Sequence, residues 1–249
     1  MLSSAPMPPA VRVAVIIPAL DEERSLPLVL EALSGAGSAL TRDGRPIELA
    51  EVLVVDNASS DATARVASRH GATVLYERER GYGRCCLRGI AYLERSRPDV
   101  VAFLDADFSD DPARLAEIVE PIASGDCDLV IGSRTRGTCE PGAMPPHARH
   151  GNRLAVALIR LLYRHRYTDL GPFRAIAYDA LTGLRMRDPD YGWTAEMQVK
   201  AILNNLRIRE IPVPYRRRIG TSKISGTLRG TIRAGTKIIW TILYYRFMK

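Results

Sequence analysis

Apolar runs that end in a carboxylate, a proline or a glycine recur along the chain. Val11-Arg12-Val13-Ala14-Val15-Ile16-Ile17-Pro18 is rich in β-branched residues. It reads as a buried strand stopped by Pro18, after which Asp21 opens a helix to about Leu33. Glu51-Val52-Leu53-Val54-Val55-Asp56 reads as a second strand. The following Asn57-Ala58-Ser59-Ser60-Asp61 caps a helix to His70. Next come a short strand over Ala72 to Tyr76, a helix over Arg84 to Arg95 and a strand over Val100 to Leu104. A helix over Pro112 to Ala123 and a strand over Asp128 to Gly132 complete this half. Strands and helices alternating at this spacing predict an α/β fold whose largely parallel sheet is wound by right-handed crossovers. The second half is less regular. It predicts a helix over Asn152 to Arg166, an irregular strand over Phe173 to Tyr178, a helix over Thr194 to Asn205 and a strand over Arg207 to Tyr215. The Pro/Gly-rich stretch from Thr135 to Arg149 is long enough to be a mobile flap.

The third long strand carries the most specific chemistry. Val100 to Leu104 delivers Asp105 and Asp107, one residue apart, to its C-terminal end. In open α/β sheets that end is where ligands bind, and alternating side-chain direction puts both carboxylates on one side. Hard oxygen ligands of this kind suit Mg²⁺ or Mn²⁺, which take one or two protein carboxylates together with substrate phosphates. A solvated turn followed by an Asp-capped helix is the plainer reading of the same residues.

With 249 residues, 46% of them hydrophobic, the chain can bury one sizeable core. Cys85, Cys86, Cys127 and Cys139 have no metal-ligand spacing and read as reduced, structural thiols. Residues 1–10 read as a disordered leader, and without a basic-then-apolar targeting segment the expected location is cytoplasmic. The net charge of +7 is unevenly placed: from Arg207 onward there are 11 Lys or Arg and one acid, leaving 24 basic against 27 acidic residues in 1–206. A basic C-terminal part suits phosphate-bearing substrates, an anionic membrane surface or nucleic acid. No zinc-finger or RNA-recognition signature supports nucleic acid. Gly81-Tyr82-Gly83 lacks the third glycine of a dinucleotide fingerprint, and the phosphate-loop pattern is absent.

Pro18-Ala19-Leu20-Asp21-Glu22-Glu23, Val55-Asp56-Asn57-Ala58-Ser59-Ser60-Asp61, Asp105-Ala106-Asp107 and Gly132-Ser133-Arg134 together resemble the family-2 glycosyltransferases. The likeness is strongest to their dolichyl-phosphate mannose synthase branch and covers roughly residues 11–225. It implies a GT-A fold, an open, mostly parallel Rossmann-like sheet flanked by helices. It places Pro18, Ala19 and Glu22 around the ribose and base of a nucleotide-sugar donor, with Asp56 bonding the base. Asp105 then touches ribose and metal, and Asp107 ligates the metal that bridges the diphosphate. Arg134, Arg84 and Lys223, the last in Gly220-Thr221-Ser222-Lys223, are its candidates for phosphate contact. Ser109 departs from the branch, which commonly carries a metal-assisting glutamine at that position, so Asp110 or water would complete the shell. On the acceptor side the resemblance points to Asp169 and to Glu196 of Gly192-Trp193-Thr194-Ala195-Glu196-Met197. Glu196 would be a general base for a hydroxyl acceptor, or would position a polyprenyl phosphate that requires no deprotonation. His147 and His150, in the flap, read as solvated loop histidines.

The last segment, residues 226–249, predicts a helix from Thr227 to Met248 with Arg229, Arg233 and Lys237 in one basic stripe. Its apolar run is too short to span a bilayer. Trp240, Tyr244, Tyr245 and Phe247 would suit a membrane interface, and docking on the domain or in an oligomer is the alternative. The reading reached from sequence is a Mg²⁺- or Mn²⁺-dependent inverting glycosyltransferase that moves a hexose from a UDP- or GDP-sugar to a lipid-linked phosphate at the cytoplasmic membrane face. Transfer to a soluble or glycan hydroxyl with Glu196 as base is the second reading. A catalytically inactive nucleotide-binding scaffold is the third.

Overall fold

A computed structural model describes residues 9–35, 39–220 and 228–248. Seven strands form one sheet in the order β3-β2-β1-β4-β6-β5-β7. They are β1 (Val11–Ala19), β2 (Ile47–Asp56), β3 (Thr73–Tyr76), β4 (Val100–Phe103), β5 (Leu129–Ser133), β6 (Arg174–Ala177) and β7 (Ile208–Pro212). The helices are α1 (Leu26–Gly35), α2 (Thr63–Arg69), α3 (Tyr82–Leu93), α4 (Leu115–Ala123), α5 (Pro146–Tyr163), α6 (Tyr178–Leu184), α7 (Trp193–Leu203) and α8 (Leu228–Phe247).

The central strands β1, β4 and β5 are buried on both faces, which is why they read as continuous apolar runs rather than as alternating ones. Along β1, Val13, Val15 and Ile17 face a core shared with α1 and α4, while Ala14 and Ile16 face the larger core under α3, α5, α7 and α8. The chain winds from β1 outward through β2 and β3, then crosses back to place β4 on the other side of β1. The resulting switch point lies at the C-terminal ends of β1 and β4.

Three local expectations need correction. The irregular strand near Phe173 is β6, inserted antiparallel between β4 and β5. Asp21 does not open α1. It adopts a left-handed backbone (φ 51°) and its Oδ1 accepts hydrogen bonds from the N–H and hydroxyl of Ser60, so it ties the first loop to the second. The flap is pinned along its length: Tyr215 N–H donates to Thr138 O at 2.8 Å, Glu140 N–H to Tyr215 O at 2.9 Å, and Arg217 N–H to the Glu140 carboxylate at 2.8 Å. A Cβ at Gly137 would lie 1.9 Å from Val213 O, so only glycine lets the two segments approach. α5 accordingly begins at Pro146, with proline at a first-turn position where its missing N–H costs nothing.

α8 docks on the domain. Its Thr241, Ile242 and Tyr245 are buried, and Tyr163 of α5 donates its hydroxyl to Ile242 O at 2.6 Å. No helix among the described residues is long and apolar enough to cross a membrane.

Candidate active site

A cavity of about 670 Å³ opens at the switch point. The end of β1 supplies Pro18 and Ala19, the loop after it Asp21 and Glu22, and the loop after β2 Asn57. Asp105 and Asp107 follow β4, Gly81, Tyr82 and Cys85 come from the start of α3, and Arg80, Asp190, Tyr191, Arg218 and Arg233 complete the lining.

Asp105 and Asp107 both face this space. Burial, and then the neighbouring Asp107 charge, push the Asp105 carboxyl up to about 7. Asp107 is held in place: its Oδ1 accepts from the backbone N–H of Ser109 at 2.9 Å and from the Ser109 hydroxyl at 2.5 Å. Ser109 is fully buried, so it orients the carboxylate rather than facing the cavity. Arg218 bridges Asp107 Oδ2 at 3.3 Å and Glu22 Oε1 at 3.1 Å, joining the β1 and β4 loops. Two carboxylates one residue apart, the first made costly to ionise by burial and by the charge of the second, are a fit for a divalent cation. Among the described residues no group of three or more His, Cys, Asp or Glu is arranged to hold a metal by itself. The pair therefore matches a cation that takes its remaining ligands from phosphate oxygens and water.

Asp110 lies deeper, with both carboxylate oxygens buried and without a hydrogen-bond partner among the described residues. Burial and the Asp105 charge push its carboxyl well above the ordinary carboxylate value. The Tyr82 hydroxyl is also buried, and burial and the nearby Asp105 charge push it up. Cys85 is an inert thiol, pushed up to about 12 by burial, and all four cysteines are free.

Asp56, beside Ala19 in the sheet register, ends β2 with Oδ1 buried and without a hydrogen-bond partner among the described residues. Its neighbour Asn57 accepts from Gly81 N–H at 2.9 Å and donates to Glu77 O and Glu79 O, fixing the start of α3 against this loop. The Gly81-Tyr82-Gly83 motif has a packing cause: a Cβ at Gly83 would lie 2.0 Å from Asp188 O.

Arg134 and Asp169 bind each other rather than lining the cavity. Arg134 Nε donates to Asp169 Oδ2 at 2.8 Å, Nη2 to Oδ1 at 2.7 Å, and its backbone N–H to Oδ2 at 2.8 Å. Burial opposes the guanidinium charge, but Asp169 outweighs it and the Arg134 pKa rises. The Arg134 guanidinium also stands 5.0 Å from the Tyr215 ring.

Two expected positions are displaced. Arg84 pairs with Glu79 at 2.7 Å outside the cavity, because α3 starts earlier than its polarity suggests, and Arg80 takes the lining position. Glu196 is fully buried in α7 and faces no solvent or ligand space. It accepts from Tyr245 Oη at 2.7 Å, Lys200 Nζ at 2.6 Å, Arg187 N–H at 3.0 Å and Asp188 N–H at 2.7 Å. Burial opposes its ionisation, but Lys200, Tyr245 and the Asp188 N–H overcome this and lower its pKa. A carboxylate so sealed cannot reach an acceptor proton, so the base role fails on geometry. Lys223 and residues 1–8 of the expected leader lie outside the described residues. Sequence reasoning missed Arg80, Arg218, Tyr82, Tyr191 and Arg233. For Arg218 the signal was present as Arg216-Arg217-Arg218, read only as bulk charge.

A seven-stranded α/β sheet with a carboxylate pair at its switch point defines a GT-A glycosyltransferase architecture. The chain matches the profile of Glycosyl transferase family 2 over residues 14–185. It is 39% identical over 228 residues to an uncharacterised glycosyltransferase of Mycobacterium tuberculosis, covering 89% of this chain and 94% of that protein. It is 33% identical over 235 residues to the undecaprenyl-phosphate mannosyltransferase of Micrococcus luteus, covering 88% and 90%. Among solved structures, glucosyl-3-phosphoglycerate synthase from M. tuberculosis, in complex with Mn²⁺, UDP and glucosyl-3-phosphoglycerate, superposes with a TM-score of 0.71 at 22% identity. That match covers 94% of this chain and 79% of the synthase. The chain belongs to the family-2 glycosyltransferases and is a nucleotide-sugar-dependent transferase.

Proposed function

We propose that this transferase moves a hexose, with inversion and with the help of Mg²⁺ or Mn²⁺, from a UDP- or GDP-sugar to a polyprenyl-phosphate-type acceptor. The observation that carries the reading is the Asp105–Asp107 pair facing the cavity beside Arg218. In this reading Pro18, Ala19 and Glu22 border the ribose and base, and Asp56 Oδ1 accepts from the base. Asp105 and Asp107 hold the cation, whose chemistry is to neutralise charge on the departing diphosphate.

Two observations favour a phosphate over a hydroxyl as nucleophile. Glu196, the candidate base for a hydroxyl, is sealed from the cavity, and a phosphate oxygen is already anionic. The Micrococcus luteus relative is, by name, an undecaprenyl-phosphate mannosyltransferase. Peripheral contact with the cytoplasmic membrane face fits the exposed Trp240 and Phe247 on α8, the exposed Met248 just past its end, and the exposed Leu154 and Leu161 on α5, the helix that packs against α8. The retained carboxylate pair argues against an inactive scaffold.

Purified protein incubated with UDP- and GDP-hexoses, Mn²⁺ and undecaprenyl phosphate is expected to form a glycosyl-phosphate lipid, and EDTA is expected to abolish it. Transfer only to soluble hydroxyl acceptors, or none with any pairing, would contradict the proposal.

A further inference from the structure

Arg233 enters the cavity from α8, which lies beyond the residues matched by the family profile. The register of that helix is fixed independently of any ligand. Ile242 is fully buried, Tyr245 donates to Glu196 at 2.7 Å, and Lys237 pairs with Asp188 at 3.0 Å. Arg233, four residues before Lys237, lies on the same helix face and reaches the cavity next to Asp190 and Tyr191.

The other cations around this space are, among the described residues, already engaged. Arg218 binds Glu22 and Asp107, Arg80 donates to Ala58 O at 2.9 Å, and Lys237 binds Asp188. Arg233 makes no hydrogen bond or ion pair among the described residues, although it lies near enough to Asp190 to oppose the rise that burial and Asp188 cause in that carboxyl. An anchored helix thus presents a planar, permanently charged fork to a cavity whose ligand carries phosphates, and such a fork matches phosphate oxygens in bidentate geometry. We propose that Arg233 is a phosphate-binding residue of this cavity, which makes the C-terminal helix part of the active site. The inference rests on the nucleotide-sugar reading. The phosphate belongs either to the donor diphosphate or to the acceptor.

Calorimetry on the full chain compares wild type, Arg233→Gln and Arg233→Lys with UDP and GDP in the presence of Mn²⁺, and with uridine and guanosine as phosphate-free controls. A transfer assay run in parallel yields the KM for undecaprenyl phosphate. If the donor diphosphate is the ligand, Arg233→Gln weakens nucleoside diphosphate binding about tenfold, leaves nucleoside binding unchanged, and the lysine variant recovers part of the loss. If the acceptor phosphate is the ligand, diphosphate binding holds and the KM for undecaprenyl phosphate rises about tenfold. Wild-type binding with no change in either quantity for Arg233→Gln overturns the inference alone. Failure of the wild type to bind any nucleoside diphosphate removes the underlying reading, and the inference falls with it.

Discussion

Asp105 is placed where its charge is costly and useful at once. Its carboxyl sits at about 7 in the folded chain because of burial and Asp107, against about 4 for an unperturbed aspartate. Between those values only the folded state holds the proton, so ionisation destabilises the fold increasingly as pH rises from 4 to 7, and the penalty is complete above 7. In metal-free protein, Asp105→Asn should therefore be stabilising, by an amount that grows with pH and reaches on the order of 4 kcal/mol by pH 8. Denaturant melts at pH 4.5 and pH 8 read this directly, and a variant less stable than wild type at pH 8 would contradict it. The same variant should bind Mn²⁺ poorly. Asp105 and Asp107 were legible in sequence because a fully apolar strand can end in charge only where something else meets that charge. Arg80 and Arg218 were not, since an arginine's reach depends on loop paths that local pattern does not encode.

Glu196 shows the corresponding logic between elements. It joins α7, the segment from Arg187 to Asp188 and the Tyr245 hydroxyl of α8, so one carboxylate fixes how three pieces of chain meet beside the cavity. Replacing it with glutamine leaves Lys200 buried without its countercharge. Breaking a buried pair in this way costs about 3 kcal/mol. For a chain of this size that is a fall of roughly 6–12 °C in thermal midpoint. The pH profile of kcat should keep its shape, because no proton passes through this carboxylate. Loss of a limb of that profile with an unchanged melting temperature would restore the base role. The alternation of β1 to β5 with helices was readable because each apolar run is bounded by turn or capping residues and followed by a helical pattern. The antiparallel insertion of β6, a strand of four residues, was not, since a short apolar run does not state its direction. Likewise the flap's Pro/Gly content signalled irregular backbone but carried no record of the hydrogen bonds to Tyr215 and Arg217 that hold it.

At the scale of the whole molecule, the lopsided charge of the sequence closes the structure. Arg207, Arg209, Arg216, Arg218 and Lys237 pair with Asp128, Asp126, Asp111, Glu22 with Asp107, and Asp188 respectively. Most of these contacts are solvent-facing and individually weak. Arg207 and Arg209 fasten β7 at the amino end of β5, while Arg216, Arg218 and Lys237 bring the later part of the chain over the acidic carboxyl edge of the sheet, where Arg218 and Arg233 reach the cavity. Composition announced the asymmetry and suggested an external anion. Much of the partner charge turned out to be the chain's own.

A cation held by Asp105 and Asp107 is tested most directly by electron paramagnetic resonance of Mn²⁺ titrated into the protein with and without UDP or GDP. The expected result is that one nucleoside diphosphate tightens Mn²⁺ uptake at least about tenfold, in line with a cation shared between protein carboxylates and phosphates, and that Asp107→Ala abolishes the gain. Mn²⁺ left free in solution with every nucleoside diphosphate, or taken up equally by Asp107→Ala, would contradict a cation-assisted transfer at this site.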